Sequence, residues 1–283
     1  MRILVVGSIN HDIVFSVARA PLDGETVWAG DVRYCPGGKG GNQAAVCARL
    51  DVHTGMVGCV GDDEHGEAML KSLRKMGVDT QFIQKTPQKS TGSAYITVDF
   101  AGQNRIVVYA GANDCVTREM VAEALQQPWD VVIVQWELPL DVVMDTVTMA
   151  AALGIAVVMD PAPALPLAQV CIPKGVTVFT PNEHEAQILT GHSIHEHPEL
   201  VMAALNDIAP ILLIKMGDKG AILRHDGVTT HHAAELVDVV DTTGAGDVFT
   251  AAFTVKYWQG KCLDEAVKFA NALAATHISQ VCV

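Results

Sequence analysis

Basic residues are scarce in this chain. Lys and Arg total 19 against 32 Asp and Glu in 283 residues, a formal charge of −13. They nowhere cluster into the basic face that a duplex-binding protein carries, so nucleic acid and anionic membrane are poor partners. An anionic small ligand remains open, because backbone N–H groups at a helix start bind phosphate without net positive charge. Long hydrophobic runs are missing too. The first, Ile3-Leu4-Val5-Val6, stops at Gly7, too short for the apolar stretch of a signal peptide. The uncharged stretch 146–159 contains Gly154 and is too short to cross a bilayer. The seven cysteines are widely spaced and include no C-x-x-C pair, so they read as reduced thiols of a cytoplasmic protein. There is no G-x-x-x-x-G-K-[ST] phosphate loop, no G-x-G-x-x-G after the first apolar run and no G-x-S-x-G nucleophile elbow.

What is present is a core-forming balance, 49% apolar against 18% charged residues, with length for one large domain or two small ones. Short apolar runs at 3–7, 54–57, 131–134, 156–159, 176–179 and 211–214 read as strands. Between them lie helical patterns at 42–50, 64–76, 142–153, 183–189, 246–258 and 264–278, with Thr117 able to cap another. Continuous apolar strands separated by helices predict a parallel sheet covered on both faces, an α/β fold. Two segments, 13–34 and 90–109, break the rhythm. They hold β-branched and aromatic runs, among them Thr26-Val27-Trp28, around the turn signals Asp23-Gly24 and Ala101-Gly102-Gln103-Asn104. These predict a small antiparallel sheet inserted into a single domain over 1–283, with segments of about 10–37 and 90–113 placed to act as a lid.

Three motifs carry chemistry. In Gly37-Gly38-Lys39-Gly40-Gly41-Asn42-Gln43, glycines lead into a helix and bring a cation and an amide to the same turn. Such a turn is either a tight strand-to-helix connection or a ligand cradle. In Asp241-Thr242-Thr243-Gly244-Ala245-Gly246-Asp247, three small residues aim consecutive N–H groups at one point, an anion nest at a helix start. Asp247 either caps that helix or accepts the proton of a hydroxyl attacking a phosphoryl group. In Thr180-Pro181-Asn182-Glu183-His184-Glu185-Ala186, Asn182 and Glu185 form a capping box or hold a hydrated Mg²⁺. Further polar groups follow strands at Asn10-His11-Asp12, Gln135-Trp136-Glu137 and 215–220, where open α/β sheets bind ligands. His192, His195 and His197, and the pair His231-His232, read as loop residues rather than a metal site.

The chain resembles the ribokinase family of sugar kinases over nearly its whole length. The resemblance is carried by VVGSINHD, GGKGGNQAA, GDDEHGEAMLKSLRKMGVD, STGSAYI, AGAN, QWELP, DPAPA, TPNEHEA and, most specifically, DTTGAGDVFTAAF. The family implies a Rossmann-like, mostly parallel sheet with helices on both faces and a small β lid, and a homodimer made through the lids. It implies transfer of the ATP γ-phosphoryl to a terminal hydroxyl of a small sugar, D-ribose first, with Mg²⁺. Alternatives are a nucleoside or pseudouridine-type kinase and a catalytically weak sugar-binding member. By position, Asp247 resembles the catalytic base and Gly244, Ala245 and Gly246 the anion hole. Asn10, Asp12, Gly38, Lys39, Asn42 and Glu137 resemble sugar contacts. Asn182 and Glu185 resemble the phosphate and Mg²⁺ network, and Lys215, Gly217 and Asn271 resemble positions near the nucleotide. Asp241 and Thr243 resemble half of a monovalent-cation site. The family pattern then continues with a Thr-x-x-Gly-Ala turn that walls the adenine and supplies cation ligands. Here the aligned residues are Ser279-Gln280-Val281-Cys282-Val283. The expectation is a K⁺ response below about twofold, since a weakly held ion shifts an equilibrium little, together with loose selection for ATP.

Overall fold

A computed structural model describes residues 1–100 and 103–279. In chain order it contains β1 (Arg2–Val6), β2 (Asn10–Val17), β3 (Ala29–Gly37), α1 (Lys39–Arg49), β4 (His53–Gly61), α2 (Glu64–Lys75) and β5 (Ile83–Thr86). Next come β6 (Gly92–Val98), β7 (Asn104–Tyr109), α3 (Arg118–Ala124), β8 (Val131–Gln135), α4 (Leu140–Ala152) and β9 (Ala156–Asp160). The rest is β10 (Val176–Phe179), α5 (Glu183–Thr190), α6 (Pro198–Leu205), β11 (Ile211–Lys215), β12 (Ala221–His225), β13 (Val228–His232), α7 (Ala245–Trp258) and α8 (Leu263–Ile278).

The main sheet has the order β13-β12-β11-β10-β9-β8-β1-β4-β5. It is parallel from β5 to β11, and β12 and β13 close one edge antiparallel. Strand side chains alternate between two cores. Leu4, Val6, Val132 and Val134 pack against α3, α4, α5 and α6. Ile3, Val5, Val131 and Ile133 pack against α1, α2, α7 and α8. With both faces covered, every position of β8 is buried, which is why the run is apolar without alternation. The carboxyl ends of β1, β8, β9, β10 and β11 all open on one rim, bringing together Ser8, Glu137, Asp160, Asn182 and Lys215.

The second sheet has the order β3-β2-β6-β7 and is not wholly antiparallel as expected. Its outer pairs are antiparallel, but β2 and β6 run parallel. The reason is topological. β1 and β5 belong to the same parallel sheet, and the chain leaves the carboxyl end of each to enter β2 and β6 in the same direction. Thr26-Val27-Trp28 lies outside any strand, with Trp28 94% exposed. Ala101 and Gly102 of the predicted turn lie outside the described residues.

Other boundaries also move. α1 starts at Lys39 rather than Asn42, with Gly38 as its N-cap in a positive-φ conformation (φ 84°) that glycine adopts readily. His231 and His232 lie on β13, not in a loop. α6 and the β12–β13 hairpin carry no clear signal in the sequence. α6 is only eight residues long, and β13 is mostly exposed and polar.

Candidate active site

Glycines set the positions of the polar groups. A side chain at Gly40 would bring its Cβ within 2.6 Å of the Gly7 carbonyl carbon, and one at Gly38 within 2.7 Å of the Asn10 nitrogen. The start of α1 therefore presses directly on the loop after β1, and the Gly41 N–H donates to the Ser8 carbonyl (2.9 Å). That contact places Lys39, Asn42 and Gln43 on the rim beside Asp247. At the start of α7, Gly244 is left-handed (φ 76°), and the turn it makes leaves the Gly246 N–H at the start of the helix while the Ala245 N–H donates to the Thr242 carbonyl (3.2 Å).

Asp247 is buried and held on both oxygens. Asn42 Nδ2 donates to Oδ2 (2.9 Å) and Gln43 Nε2 to Oδ1 (3.0 Å). Gln43 Nε2 also donates to Asp160 Oδ2 (3.0 Å), and Asp160 Oδ1 accepts from Lys215 Nζ (2.9 Å). Gln43 Oε1 accepts from Gln135 Nε2 (2.7 Å). Asn10 is tied to Asn113, whose Nδ2 donates to its Oδ1 (2.8 Å). Glu137 accepts from the Ser8 hydroxyl and from the Lys39 N–H (3.3 Å).

The charges explain one another. Burial alone would lower the Lys39 ammonium, but Asp247, Asp160, Glu137 and Glu185 more than offset it, and its pKa is raised. Burial pushes Glu137 up, with Lys39 and Ser8 pulling the other way. Burial likewise raises Glu185, against Lys215. Burial, then Glu137, then Asp247 push Asp12 up to about 7. Its Oδ1 is buried without a hydrogen-bond partner among the described residues. A carboxyl that binds its proton more tightly when folded loses stability as pH climbs from about 4, its unfolded value, through its folded value. Asp12→Asn removes that loss. The variant should match wild type in Tm near pH 4 and exceed it at pH 8; a Tm difference that stays constant with pH contradicts this origin.

Two cavities flank the Gly244–Gly246 turn. One, of about 490 Å³, is lined by Asn182, Lys215, Gly217, Asn271, Ala245 and Gly246 among others, with apolar walls from Val237, Val239 and Ala274. The other, of about 480 Å³, lies between the second sheet and the main sheet and includes Asp12, Asn42, Asp241, Thr243 and Gly244. The nest thus borders both, with Asp247 joined to Asn42 on the second. Of the expected sugar contacts, Asp12 and Asn42 line this cavity, and Asn10, Gly38, Lys39 and Glu137 line neither cavity.

Asn182 and Glu185 do form the capping box, with each side chain bonded to the other's backbone N–H at 2.7 Å. Asn271 Nδ2 donates to the Ala233 carbonyl (3.2 Å). Asp241 Oδ1 accepts from the Thr243 N–H (2.9 Å), and the Thr243 carbonyl accepts from His277 Nε2 (2.8 Å). Residues 280–283, on which the expected opening of the adenine wall rests, lie outside the described residues. No cluster of three or more metal-ligating side chains occurs among the described residues, and no helix there is long and apolar enough to cross a membrane. The sequence patterns give no role to Gln43, Asp160 or Asn113. Gln43 and Asp160 do stand inside the glycine motif and DPAPA, and two polar residues in otherwise buried surroundings are the signal that could have found them.

This arrangement matches known proteins. Residues 1–282 match the family described as pfkB family carbohydrate kinase. The ribokinase of Bacillus subtilis is 38% identical over 98% of this chain and 92% of its own length. That of Haemophilus influenzae is 35% identical over 98% and 92%. Among solved structures, Thermotoga maritima ribokinase superposes with a TM-score of 0.85 at 33% identity, covering 99% of this chain and 93% of that one. Arabidopsis thaliana ribokinase complexed with ribose and ATP gives 0.84 at 31%, covering 98% and 92%. The chain belongs to the pfkB family of carbohydrate kinases. It is a kinase with the Rossmann-like α/β architecture of that family.

Proposed function

We propose that this carbohydrate kinase transfers the γ-phosphoryl of ATP to the terminal hydroxyl of a small sugar, D-ribose first. One observation carries the reading: two cavities border the two sides of a glycine nest, and the doubly held carboxylate of Asp247 follows that nest in the first turn of α7, bonded to Asn42 on the wall of the second cavity. The apolar cavity beside Lys215, Gly217 and Asn271 takes the nucleotide. The cavity with Asp12 and Asn42 takes the sugar, whose hydroxyls pair with the acceptor Asp12 Oδ1 and with the Asn42 amide. Asp247 Oδ2, reached from the Asn42 side, removes the hydroxyl proton as it attacks. The N–H groups of Gly244 and Gly246 then receive the charge that spreads over the transferred group, and that of Ala245 joins them on leaving the Thr242 carbonyl. The named relatives, one of them complexed with ribose and ATP, support the same assignment.

Mg²⁺ fits the residues present. Glu185 offers a buried carboxylate beside Lys215, with Oε2 given to the Asn182 N–H, and a hydrated Mg²⁺ needs only one or two such ligands beside phosphate oxygens. Asn182 and Glu185 would hold it, and it would neutralise charge on the donor phosphates. K⁺ is a weaker case. Asp241 and Thr243 could supply oxygens, but both are already engaged by protein N–H groups, and His277 ties the loop to α8. Replacing K⁺ by Na⁺ at constant ionic strength should change kcat less than about twofold; strong K⁺ activation contradicts this.

The second sheet serves as the lid, excluding water that would hydrolyse ATP. Its strand register places Tyr34, Ile13, Tyr95 and Val107 in one row across the sheet. Tyr34, Tyr95 and Val107 are exposed, and an exposed apolar row of this kind favours a partner, here a second copy. The unpaired cysteines among the described residues suit a cytoplasmic setting.

An ADP-release screen across pentoses, hexoses and nucleosides tests the substrate. D-ribose should give the highest kcat/KM. A nucleoside preferred over every free sugar supports the nucleoside-kinase reading instead, and ATP and sugar binding without turnover supports the binding-protein reading.

A further inference from the structure

Gln43 is fully buried on α1, and its amide is saturated. Its two N–H groups go to Asp247 Oδ1 and Asp160 Oδ2, both at 3.0 Å, and its oxygen accepts from Gln135 at 2.7 Å. A primary amide between two carboxylates has one workable orientation, because the reverse would aim its oxygen at both anions. Asp160 is itself buried and paired with Lys215 at 2.9 Å. Lys215 Nζ lies 3.5 Å from where a Cβ would stand on Gly246, at the wall of the nucleotide cavity. An unbroken buried chain therefore runs from the nucleotide cavity through Lys215, Asp160 and Gln43 to Asp247.

We propose that Gln43 is a positioning residue for the base: it fixes the rotation of the Asp247 carboxylate and ties it, through Asp160, to Lys215 on the wall of the nucleotide cavity. The inference rests on the reading of Asp247 as base. The physical case is simple. A carboxylate with one donor swings about its Cβ–Cγ bond, and a small misplacement of a reacting group costs up to about 10²-fold in rate. Two buried carboxylates facing each other also resist being charged together unless a donor or cation lies between them. Gln43 is that donor for Asp247, and Lys215 is that cation for Asp160.

The test compares Gln43→Leu and Asp160→Asn with wild type and with Asp247→Asn. Gln43→Leu should lower kcat roughly 10- to 100-fold while both KM values stay within about threefold. It should also move the acid limb of the kcat profile to higher pH, since a carboxylate without its donor is protonated more easily. Asp160→Asn removes a neighbouring negative charge and should move the limb to lower pH. Lys39 from α1, Glu137 from the loop after β8, and Asp12 from β2 also face Asp247. Lys215, on β11, is paired with Asp160, and all four are present in both variants. Opposite shifts are the expected result, and a merely structural loss would not produce them. If Gln43→Leu fails to fold, Gln43→Met, which keeps the length of the side chain without its amide, takes its place and should show the same fall in kcat and the same upward shift. Limbs that stay in place in the folded variants overturn the inference while Asp247→Asn remains inactive. An active Asp247→Asn overturns the reading of the base instead.

Discussion

Asp247→Asn should lower kcat roughly 10²- to 10⁴-fold, the usual worth of a positioned acid–base group. The substitution keeps the shape of the side chain, and one oxygen remains to accept from Asn42 or Gln43. The Asn nitrogen then faces the other amide donor, so a modest loss of stability accompanies the loss of rate. Neither cavity is lined by the Asp247 side chain, so the KM for ATP should stay within about threefold, the behaviour of a group that acts only in the transition state. Steady-state kinetics with ATP and D-ribose, beside a thermal melt, checks both halves. A folded variant with more than a tenth of the wild-type kcat removes Asp247 from the role.

Lys39→Met should cost on the order of 1–3 kcal/mol of stability, less than breaking a buried hydrogen-bonded ion pair, because Lys39 is partly buried and balances its carboxylates without a direct pair. Lys39 is the cation shared by Asp247, Asp160, Glu137 and Glu185. Methionine replaces its stem but not its charge, and leaves those carboxylates facing one another with Lys215 as the nearest remaining cation on Asp160. Glu137 and Glu185 are already pushed up by burial, so they take up protons first when Lys39 is gone. The deficit should therefore shrink as pH falls from 8 towards 5, with the sign set by tighter proton binding in the folded state. Urea melts of the two proteins at both pH values measure it. A difference below about 1 kcal/mol that does not change with pH shows that solvent already screens the cluster.

Much of this site was legible in the sequence for two physical reasons. Strands covered on both faces must be apolar throughout, so β1, β8 and β11 announced themselves and, by their ends, announced the rim. Backbone that must approach a neighbour closely, or adopt a positive φ, must be glycine, so Gly38, Gly40 and Gly244 marked both loops that meet at Asp247. What was hidden is pairing at a distance. Gln43 meets Asp247 across 204 positions and Asp160 across 117, and no local pattern reports which buried polar residues find each other. The Asn182–Glu185 motif shows another limit. Its spacing permitted a capping box and a ligand pair alike, and the structure contains the box while leaving the carboxylate on the rim. The parallel pairing of β2 with β6 was hidden for a third reason. Each strand alone reads as half of a hairpin, and only the direction in which β1 and β5 deliver the chain decides otherwise.

The most direct measurement of the central claim is the ³¹P NMR spectrum of the product formed from ATP and D-ribose. The proposed function predicts ADP together with a phosphomonoester split into a triplet by two methylene protons, as for a phosphate on the terminal hydroxyl. ADP with inorganic phosphate alone, or a phosphomonoester coupled to a single ring proton, would contradict it.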